Sequence, residues 1–240
     1  MTLPSAERIF HATSVTWPAA EKVAYGAVTV RIGAGGGKRV SAATVDAEHA
    51  PGDISDAEKA MDDAGQPRLF MVRAGHIQID DMLARRGYRL IDPVNQYTAE
   101  IDLLAEQELP RMATFEIWPP LAIMERIWAE GDIGPGRLAV MDRVGVAKTA
   151  IFGRAKDMPA GTAFAACDGT VAMVHALHVA PDMRRNGTAR HIMIAAAGWA
   201  KANGATHLAV LCTEANQPAN TMYLNLGFEP ASGYHYRISD

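Results

Sequence analysis

The stretch LHVAPDMRRNGTA, residues 177–189, lies between two apolar segments and decides the fold of the chain. The run VAMVHALHVA (171–180) has apolar residues on both faces, which predicts a central strand covered on both sides. The run RHIMIAAAGWAKANG (190–204) is small and apolar, which predicts a helix packed on that strand. The basic loop at 184–189 therefore joins a buried strand to a packed helix.

This junction has the chemistry of an anion site. A helix that begins here presents unpaired backbone N–H groups and a partial positive charge at its first turn. The small residues Gly187, Thr188 and Ala189 let an oxyanion approach the backbone. Arg184 and Arg185 add positive charge at the same place. The sequence predicts a phosphate site, most naturally for a pyrophosphate, with an ordinary helix after a basic surface loop as the alternative.

A second helix, which follows the strand predicted at 206–213, carries a motif on one face. Asn216, Ala219, Tyr223 and Gly227 stand at i, i+3, i+7 and i+11, and Gly227 ends the helix. A ligand lying between the ends of two adjacent strands would contact the starts of both helices. A core aromatic on an amphipathic helix is the alternative interpretation of Tyr223.

Apolar periodicity and turn residues predict the other elements. Helices are predicted at 4–12, 53–66, 79–88, 120–131, 187–203 and 216–226. Strands are predicted at 23–32, 38–45, 68–72, 88–104, 137–144, 147–155, 161–167, 170–180, 206–213 and 234–239. Together they predict an α/β fold with a mixed sheet. The order of elements is similar in both halves, although no sequence repeat is evident, and the polar residues 105–112 predict a linker.

Composition disfavours several classes of protein. The 240 residues carry a formal net charge of −4, which does not indicate general nucleic-acid binding. The chain has no signal-peptide core and no apolar run of about 18 residues, so a cytoplasmic protein outside membranes is expected. Cys167 and Cys212 lie in apolar runs and are expected to be buried reduced thiols. The GAGGG segment at 33–37 lacks the spacing of a phosphate loop and predicts a hairpin loop.

The two helix motifs resemble those of the GNAT superfamily of N-acetyltransferases. The family's acetyl-CoA motif, Arg/Gln-x-x-Gly-x-Gly/Ala, is matched by Arg184, Gly187 and Ala189. LHVAPDM is similar to the family's strand-plus-proline lead-in, and Gly204 stands in its usual place between helix and strand. The later pattern of Asn, Ala, Tyr and Gly-Phe is matched by Asn216, Ala219, Tyr223, Gly227 and Phe228. The resemblance covers about residues 113–240.

The resemblance implies the acyl-CoA N-acyltransferase fold, which is a mixed, largely antiparallel twisted sheet flanked by helices. It implies acetyl-CoA as cosubstrate and no metal. The backbone of Leu177, His178 and Val179 would pair with the pantetheine arm like an added strand. The pyrophosphate would be held by Arg184, Arg185, Asn186, Gly187, Thr188 and Ala189. Asn216 would bond the pantetheine, and the Tyr223 hydroxyl would protonate the departing thiolate.

The first half has a fainter likeness to the N-terminal halves of some two-module members of the family. The segments that carry it are Gly-x-Lys-Arg-Val-Ser at 36–41, RLFMV at 68–72 and LARRGY at 83–88. This half contains no Arg-x-x-Gly-x-Gly/Ala motif and should not hold a CoA pyrophosphate. The expected organisation is two tandem modules, a degenerate one at 1–110 and a catalytic one at 111–240.

Several residues compete for the role of general base, which is needed only if the amine arrives protonated. Many members of the family carry a Glu at about the position of Met173. His175 and His178 are the nearest substitutes, and their spacing in a regular strand predicts opposite faces and disfavours a metal pair. His175 is the candidate base, with a core histidine as the alternative. Glu214, Asp168 and a water relay stay open.

The predicted activity is transfer of an acetyl group from acetyl-CoA to a primary amine by direct attack in a ternary complex. Two other functions stay open. One is a non-catalytic acyl-CoA sensor or regulatory subunit, and the other is a binding module in the first half that recruits a protein to be acetylated. The sequence does not distinguish a small-molecule acceptor from a protein amine, or a monomer from a homodimer.

Overall fold

The computed structural model describes residues 2–46 and 51–239. The helices in these residues are α1 Ala6–Thr16, α2 Lys38–Ser41, α3 Pro51–Asp63, α4 Ile77–Arg85, α5 Asp102–Ala105, α6 Ala122–Glu130, α7 Pro135–Arg143, α8 Thr188–Ala202 and α9 Gln217–Asn225. The strands are β1 Glu21–Tyr25, β2 Val28–Ile32, β3 Thr44–Val45, β4 Arg68–Arg73, β5 Arg89–Glu100, β6 Thr114–Ile117, β7 Lys148–Ala155, β8 Met158–Asp168, β9 Val171–Val179, β10 His207–Thr213 and β11 Glu229–Ser239. None of the helices in the described ranges is long and apolar enough to cross a membrane.

Eight strands form one sheet in the order β4-β11-β5-β10-β9-β8-β7-β6. Neighbouring strands are antiparallel except β9 and β10, which run parallel. β1, β2 and β3 form a separate sheet of three strands. Alternate residues of the inner strands belong to two different apolar clusters, one on each face of the large sheet. Helices therefore cover both faces. The predicted fold class, a mixed and largely antiparallel sheet flanked by helices, is confirmed.

The large sheet takes strands from both halves of the sequence. β5 lies between β10 and β11, and β11 lies between β5 and β4. The last strand of the first half, β5, therefore lies between two strands of the second half. The last strand of the second half, β11, lies between two strands of the first half. The boundary predicted at residue 110 falls after β5, and it stays a prediction.

The strand predicted at 137–144 is wrong, because these residues form most of α7. The helix begins at Pro135, a residue that suits the first turn since its missing N–H would have no partner there. The buried residues Val140, Met141 and Val144 have helical spacing and pack into the core with α6. The proline at the helix start was the sequence signal for a helix, but the alternating pattern of residues 137–144 favoured a strand.

Two further strand predictions are wrong in the first half. Residues 38–45 form the single turn of α2 before the two-residue strand β3, and Val40 is buried there in the cluster that contains Val140. Residues 23–32 form a hairpin of β1 and β2 rather than one strand, because Gly26 adopts a left-handed φ of 55° in the turn. The short strand β6 was not predicted.

Small residues position α8 against the sheet. The buried side chains of this helix include Ala195, Ala196, Ala197 and Ala200. Gly153 of β7 and Gly161 of β8 lie under its first turn. A Cβ atom at Gly153 would lie 2.9 Å from Thr188 Cγ2, and one at Gly161 would lie 2.8 Å from the carbonyl oxygen of His178. Larger residues would displace the start of α8, so these glycines fix the position of the basic loop.

Candidate active site

β9 and β10 separate at their carboxyl ends and leave a gap in the sheet. Their parallel ladder ends at the pair Val174–Val210, although β9 continues to Val179 and β10 to Thr213. On its other edge β9 stays paired with β8 to its last residue. Within the described part of the chain, no strand pairs with residues 177–179 on the side of the gap. This free backbone edge can accept an extended ligand as an added strand.

A bulge in β9 lies beside the gap. Ala176 has a left-handed φ of 53°, and the register between β8 and β9 shifts at this position. The Ala176 carbonyl accepts a hydrogen bond from the indole Nε1 of Trp128 at 2.7 Å. A bulge places two residues opposite one and bends the strand. The contact with Trp128 therefore stabilises the place where β9 turns away from β10.

The bulge changes the face on which one histidine lies. His175 pairs with Phe164 and His178 pairs with Thr162. Because Phe164 and Thr162 are two residues apart in β8, both histidines point to the same face of the sheet. The prediction that they lie on opposite faces is wrong, since the extra residue of the bulge cancels one alternation. This face carries α1, α6 and α7.

The basic loop forms a concave backbone at the start of α8. Arg185 and Gly187 have left-handed φ values of 64° and 79°. The Asn186 side chain donates to two carbonyl oxygens of the same loop, each at 3.1 Å. No backbone N–H of residues 185–190 donates to an acceptor in the described ranges. A curved run of free N–H groups at a helix N-terminus is an anion-binding arrangement.

The side chains of the loop fit an anionic ligand. Arg184 and Arg185 are exposed, and Arg184 Nε donates to the carbonyl of Val179 at 3.3 Å. The Thr188 hydroxyl is buried and has no hydrogen-bond partner in the part of the chain that the structure describes. Leaving a buried polar group unpaired costs about 1–3 kcal/mol. A phosphate oxygen at the first turn of α8 could remove that cost.

Asn216 begins α9 where β10 ends. Its side-chain oxygen caps the helix by accepting from the backbone N–H of Ala219 at 3.3 Å. The residue is exposed next to the gap, so its side-chain NH2 group can reach a ligand there. The position agrees with the predicted contact, and the contact itself stays a prediction.

Asn220 is a residue of this site that the sequence did not single out. It is buried, and its Nδ2 donates to the carbonyls of Thr213 at 3.0 Å and Asn216 at 2.9 Å. Its Oδ1 accepts from the Tyr97 hydroxyl at 2.9 Å. These bonds hold the loop before α9 against β5. The available signal was a polar residue on the inward side of α9, one turn after the cap.

Tyr223 is buried between aromatic rings on the face that carries α8. Only 6% of the residue is exposed, and its ring centroid lies 5.9 Å from that of Tyr97 and 5.7 Å from that of Phe228. Its hydroxyl has no hydrogen-bond partner among the described residues. Burial raises the pKa of Tyr223, and the nearby Cys212 raises it further. The phenol therefore stays protonated at neutral pH and can donate a proton.

A family model agrees with this geometry. The Acetyltransferase (GNAT) family matches residues 107–228, which include β9, α8, β10 and α9. The chain belongs to the GNAT acetyltransferase family. Its splayed strands, concave loop and capped second helix are thus the parts of a GNAT domain.

Relatives and solved structures extend the match over both halves of this GNAT chain. It is 26% identical over 246 residues to a Bacillus subtilis (strain 168) protein called "Uncharacterized N-acetyltransferase YobR", with coverage of 96% of the chain and 97% of that protein. A GCN5-related N-acetyltransferase from Kribbella flavida superposes with a TM-score of 0.77 at 17% identity, covering 99% of this chain and 96% of that one. A tandem GNAT protein from the clavulanic acid biosynthesis pathway gives a TM-score of 0.64 at 15% identity, covering 99% and 90%. The tandem likeness supports the two-module organisation of the fold.

His175 is held in the core by both ring nitrogens. Nδ1 lies 3.2 Å from Arg39 Nη1, and Nε2 lies 2.9 Å from the Thr16 hydroxyl, which donates to the carbonyl of Ala12. An arginine can only donate, so Nδ1 accepts and Nε2 carries the proton. Burial and the charge of Arg39 hold the pKa of His175 well below its usual range. These contacts favour the interpretation of His175 as a core histidine.

His178 lies on the same face and is half-buried against Gly131, at the end of α6. Its Nε2 is buried without a hydrogen-bond partner in the described ranges. Burial lowers the pKa of His178, and the charge of Arg184 lowers it further. The backbone of His178 pairs with no strand on the side of the gap among the described residues, as the predicted pairing with pantetheine requires.

Of the two other candidate bases, one is already paired. Asp168 is at the turn between β8 and β9, where Arg8 Nη1 contacts its carboxylate at 2.6 Å. Glu214 is exposed, and its backbone N–H donates to the carbonyl of Pro93 at 2.8 Å. The contact with Arg8 disfavours Asp168 as the base, whereas Glu214, in the loop after β10, and a water relay stay open.

Proposed function

We propose that the chain is an acetyl-CoA-dependent N-acetyltransferase that transfers the acetyl group to a primary amine by direct attack in a ternary complex. The observation that carries the proposal is the gap between β9 and β10. The free backbone edge at 177–179 and the concave loop at 184–189 lie beside it, and Tyr223 belongs to the apolar cluster against which Leu177 packs. An extended cosubstrate with a pyrophosphate at one end and a thioester at the other matches this arrangement.

Binding would use the backbone more than side chains. The N–H and carbonyl groups of residues 177–179 would pair with the amides of the pantetheine arm, as in strand addition. The free N–H groups of the loop, the Thr188 hydroxyl and the two arginines would hold the pyrophosphate. The amide of Asn216 would donate to the pantetheine from the side of β10.

The acetyl transfer needs one side chain that donates a proton. The neutral amine nitrogen forms a bond to the thioester carbonyl carbon, and backbone N–H groups of the free edge stabilise the oxyanion. Collapse breaks the C–S bond, and the Tyr223 hydroxyl gives its proton to the leaving sulfur. The amine proton is released to water, from which the phenolate of Tyr223 recovers a proton. The products are the amide and CoA thiol.

In this proposal, no side-chain base removes the amine proton. His175 has no free lone pair, because Nδ1 accepts from Arg39 and Nε2 donates to Thr16. Solvent at the open side of the gap can take the proton if the amine binds in its neutral form. The rate should then rise with pH until the acceptor amine is fully deprotonated, since the free base is the reacting species.

The test is acetyl-CoA binding followed by turnover in the full-length protein. Calorimetry with acetyl-CoA should give one site per chain, and thiol release should require an added amine. A panel of small amines and lysine-containing peptides would define the acceptor. Tight binding without thiol release for any amine would instead support an acyl-CoA sensor. Absence of binding by folded, CoA-free protein would refute the proposal.

A further inference from the structure

A cleft of about 320 Å³ lies between α1 and the strands of the first half. It is on the same face of the large sheet as His175 and opposite to the face that carries α8 and α9. Phe10 and Trp17 of the α1 segment form one wall. Met71 and Arg73 of β4 form part of the other wall. The cleft has no role in the acetyl-CoA binding proposed above.

Positive charge dominates the cleft. Four cationic side chains line it, namely Lys22, Arg31, Arg39 and Arg73, against the two carboxylates of Glu7 and Asp46. Glu7 is exposed, and Asp46 contacts Arg73 at 3.0 Å. Burial lowers the pKa of Arg31, and the charge of Arg73 lowers it further, although Asp46 opposes both effects. Such crowding of like charges favours the binding of an anion.

Two arginines that line the cleft each have a buried donor atom without an acceptor in the described part of the chain. The Nε atoms of Arg39 and Arg73 are buried and have no hydrogen-bond partner among the described residues. The Arg73 guanidinium lies over the Phe10 ring, with 4.8 Å between Cζ and the ring centroid. The Phe10 ring and the Asp46 carboxylate hold the guanidinium in one orientation, so an anion in the cleft would bind beside Asp46. The charges that line the cleft therefore favour an anionic group over a neutral one.

The cleft reaches the candidate active site through two contacts. Arg39 Nη1 lies 3.2 Å from His175 Nδ1, and the Trp17 ring centroid lies 4.9 Å from that of His175. His175 precedes the free backbone edge by two residues, which corresponds to roughly 7 Å along a strand. Because His175 and Trp17 are only 3% and 6% exposed, an amine held in the cleft would have to displace the Trp17 ring to bring its nitrogen to the gap.

We propose that this cleft binds the anionic group, a carboxylate or a phosphate, of the amine that the second half acetylates. The proposal rests on the acetyltransferase function proposed above. Arg73 and Arg31 are the specificity-determining cations, and Arg39 lies where the cleft meets His175. The first half thereby supplies the acceptor site, and the second half supplies the cosubstrate site.

The test compares amines that differ in one anionic group. Thiol release is measured with glycine and glycinamide, and with O-phosphoethanolamine and ethanolamine, for the full-length protein and for Arg73→Gln. The variant should raise KM for the anionic member of the preferred pair by about 10- to 100-fold, as expected for a lost charge-assisted hydrogen bond. The neutral member should change less than twofold. Each comparison uses one amine with two proteins, so differences in amine basicity cancel.

Two further variants provide controls. Arg73→Lys should recover part of the lost affinity, because it restores the charge. Arg85→Gln removes the same charge from α4, on the opposite face of the first half, and should leave all KM values unchanged. Equal effects of Arg73→Gln on charged and neutral amines would overturn the proposal, because a general loss of structure would explain them.

A binding measurement separates the failure of this proposal from failure of the acetyltransferase function. Calorimetry with O-phosphoethanolamine, glycine and inorganic phosphate is performed with and without CoA. If no amine supports thiol release but Arg73→Gln abolishes the binding of these anions, the cleft is an anion site without an acceptor role, and the proposal is refuted. Turnover that favours the neutral amines in every pair also refutes it. Binding and turnover that depend together on Arg73 support it.

Discussion

Residues 71–99 and residues 211–239 have the same order of elements, with each position 140 residues from its counterpart, as Ile77 is from Gln217. Each segment passes from a strand end through a turn, a helix of nine residues and a second turn into a long strand. Both helices end before a glycine, Gly87 or Gly227, with φ values of 88° and 85°. Each half of the molecule thus contains one copy of this repeated unit.

Backbone hydrogen bonds join the two repeated units at counterpart positions. The backbone N–H of Ala74 donates to the carbonyl of Gly233 at 3.0 Å, and that of Glu214 donates to the carbonyl of Pro93 at 2.8 Å. The two bonds join counterpart positions, because Ala74 corresponds to Glu214 and Gly233 corresponds to Pro93. Each unit therefore builds its strand-to-helix turn against the last strand of the other unit, as the order β4-β11-β5-β10 requires.

Side chains at counterpart positions also contact the other unit, but these contacts differ in chemistry. Asp80 of α4 accepts from Arg237 Nε at 2.7 Å and lies 2.6 Å from His235 Nε2. Its counterpart Asn220 of α9 accepts from Tyr97 and Asn95, at the counterpart positions of Arg237 and His235. One contact is ionic and the other is neutral. The backbone is repeated, whereas the side chains at the same positions have diverged.

The positions proposed for chemistry are present in one unit only. Tyr223 corresponds to Leu83, and Asn216 corresponds to His76. The parallel contact that corresponds to β9–β10 is reduced in the first half to the single bridge Ala43–Phe70. The comparison teaches that the repeated backbone persists although the residues proposed for chemistry are present in only one of its two copies. The four predictions below test this difference.

The largest effect is expected at the concave loop. Gly187→Glu should abolish acetyl-CoA binding, because a carboxylate would occupy the proposed phosphate site and repel the ligand. Calorimetry of the full-length variant measures this loss. Gly187→Ala separates the charge from the strain of a left-handed φ, since it adds only a Cβ atom 3.3 Å from the His191 ring.

A matched change in the first half completes that comparison. Gly52→Glu places the same residue in α3, at an exposed position with no atom within 4 Å of its Cβ. Acetyl-CoA affinity should not change. Equal losses for Gly187→Glu and Gly52→Glu would show that net charge, and not the loop, controls binding.

The next effect concerns Tyr223. Tyr223→Phe keeps the packing of the ring and removes the proton donor, so turnover should fall about 10²- to 10⁴-fold with little change in acetyl-CoA affinity. The measurement is thiol release against amine concentration. Tyr88→Phe in the first half removes a hydroxyl that donates to Glu58 at 2.8 Å and should lower stability by about 1 kcal/mol without changing turnover.

Turnover of Tyr223→Phe within twofold of the parent would remove Tyr223 from the catalytic residues. The residue would then be a core aromatic, as its counterpart Leu83 is a core aliphatic residue. Because burial raises the pKa of Tyr223, the parent enzyme should not lose activity through its ionisation at or below about pH 10, the usual pKa of a tyrosine.

Replacing Asn220 with aspartate, the residue at the corresponding position 80 of the other unit, should destabilise the folded protein. Asn220→Asp replaces an NH2 group that donates to backbone carbonyls with an oxygen that repels them. The free energy of unfolding should fall by about 2–4 kcal/mol at pH 7, measured by urea denaturation. A smaller loss than that of the reciprocal variant Asp80→Asn would contradict the importance assigned to these carbonyl contacts.

The smallest effect is expected for Asp80→Asn. The variant weakens two charge-assisted contacts and should cost about 1–2 kcal/mol at pH 7. The hydrogen bond from Arg237 holds the pKa of Asp80 below its usual value. The contribution is therefore present above the unfolded pKa of about 3.9 and is lost as pH falls through the lower folded pKa. Parent and variant should converge in stability in that acidic range, and an unchanged difference would exclude Asp80 as its source.

Motifs that depend on nearby residues could be predicted. The spacing of Arg184, Gly187 and Ala189 located the start of α8, and that of Asn216 and Tyr223 located one face of α9. Both helices form within two residues of the predicted bounds. The family followed from the same two motifs. The exchange of β5 and β11 could not be predicted, because an alternating strand pattern does not identify the partner strand.

The sequence by itself determined the concave loop and the two helices beside it, because Gly187 and the apolar period of α8 act through the local backbone. Only the tertiary structure decided what surrounds the gap. The bulge at Ala176 exists because β9 pairs with β8 on one side and leaves β10 on the other. His175 has the contacts of a core histidine because Arg39 and Thr16 reach it from 136 and 159 residues away. Such contacts depend on how distant segments pack, and no local pattern records them.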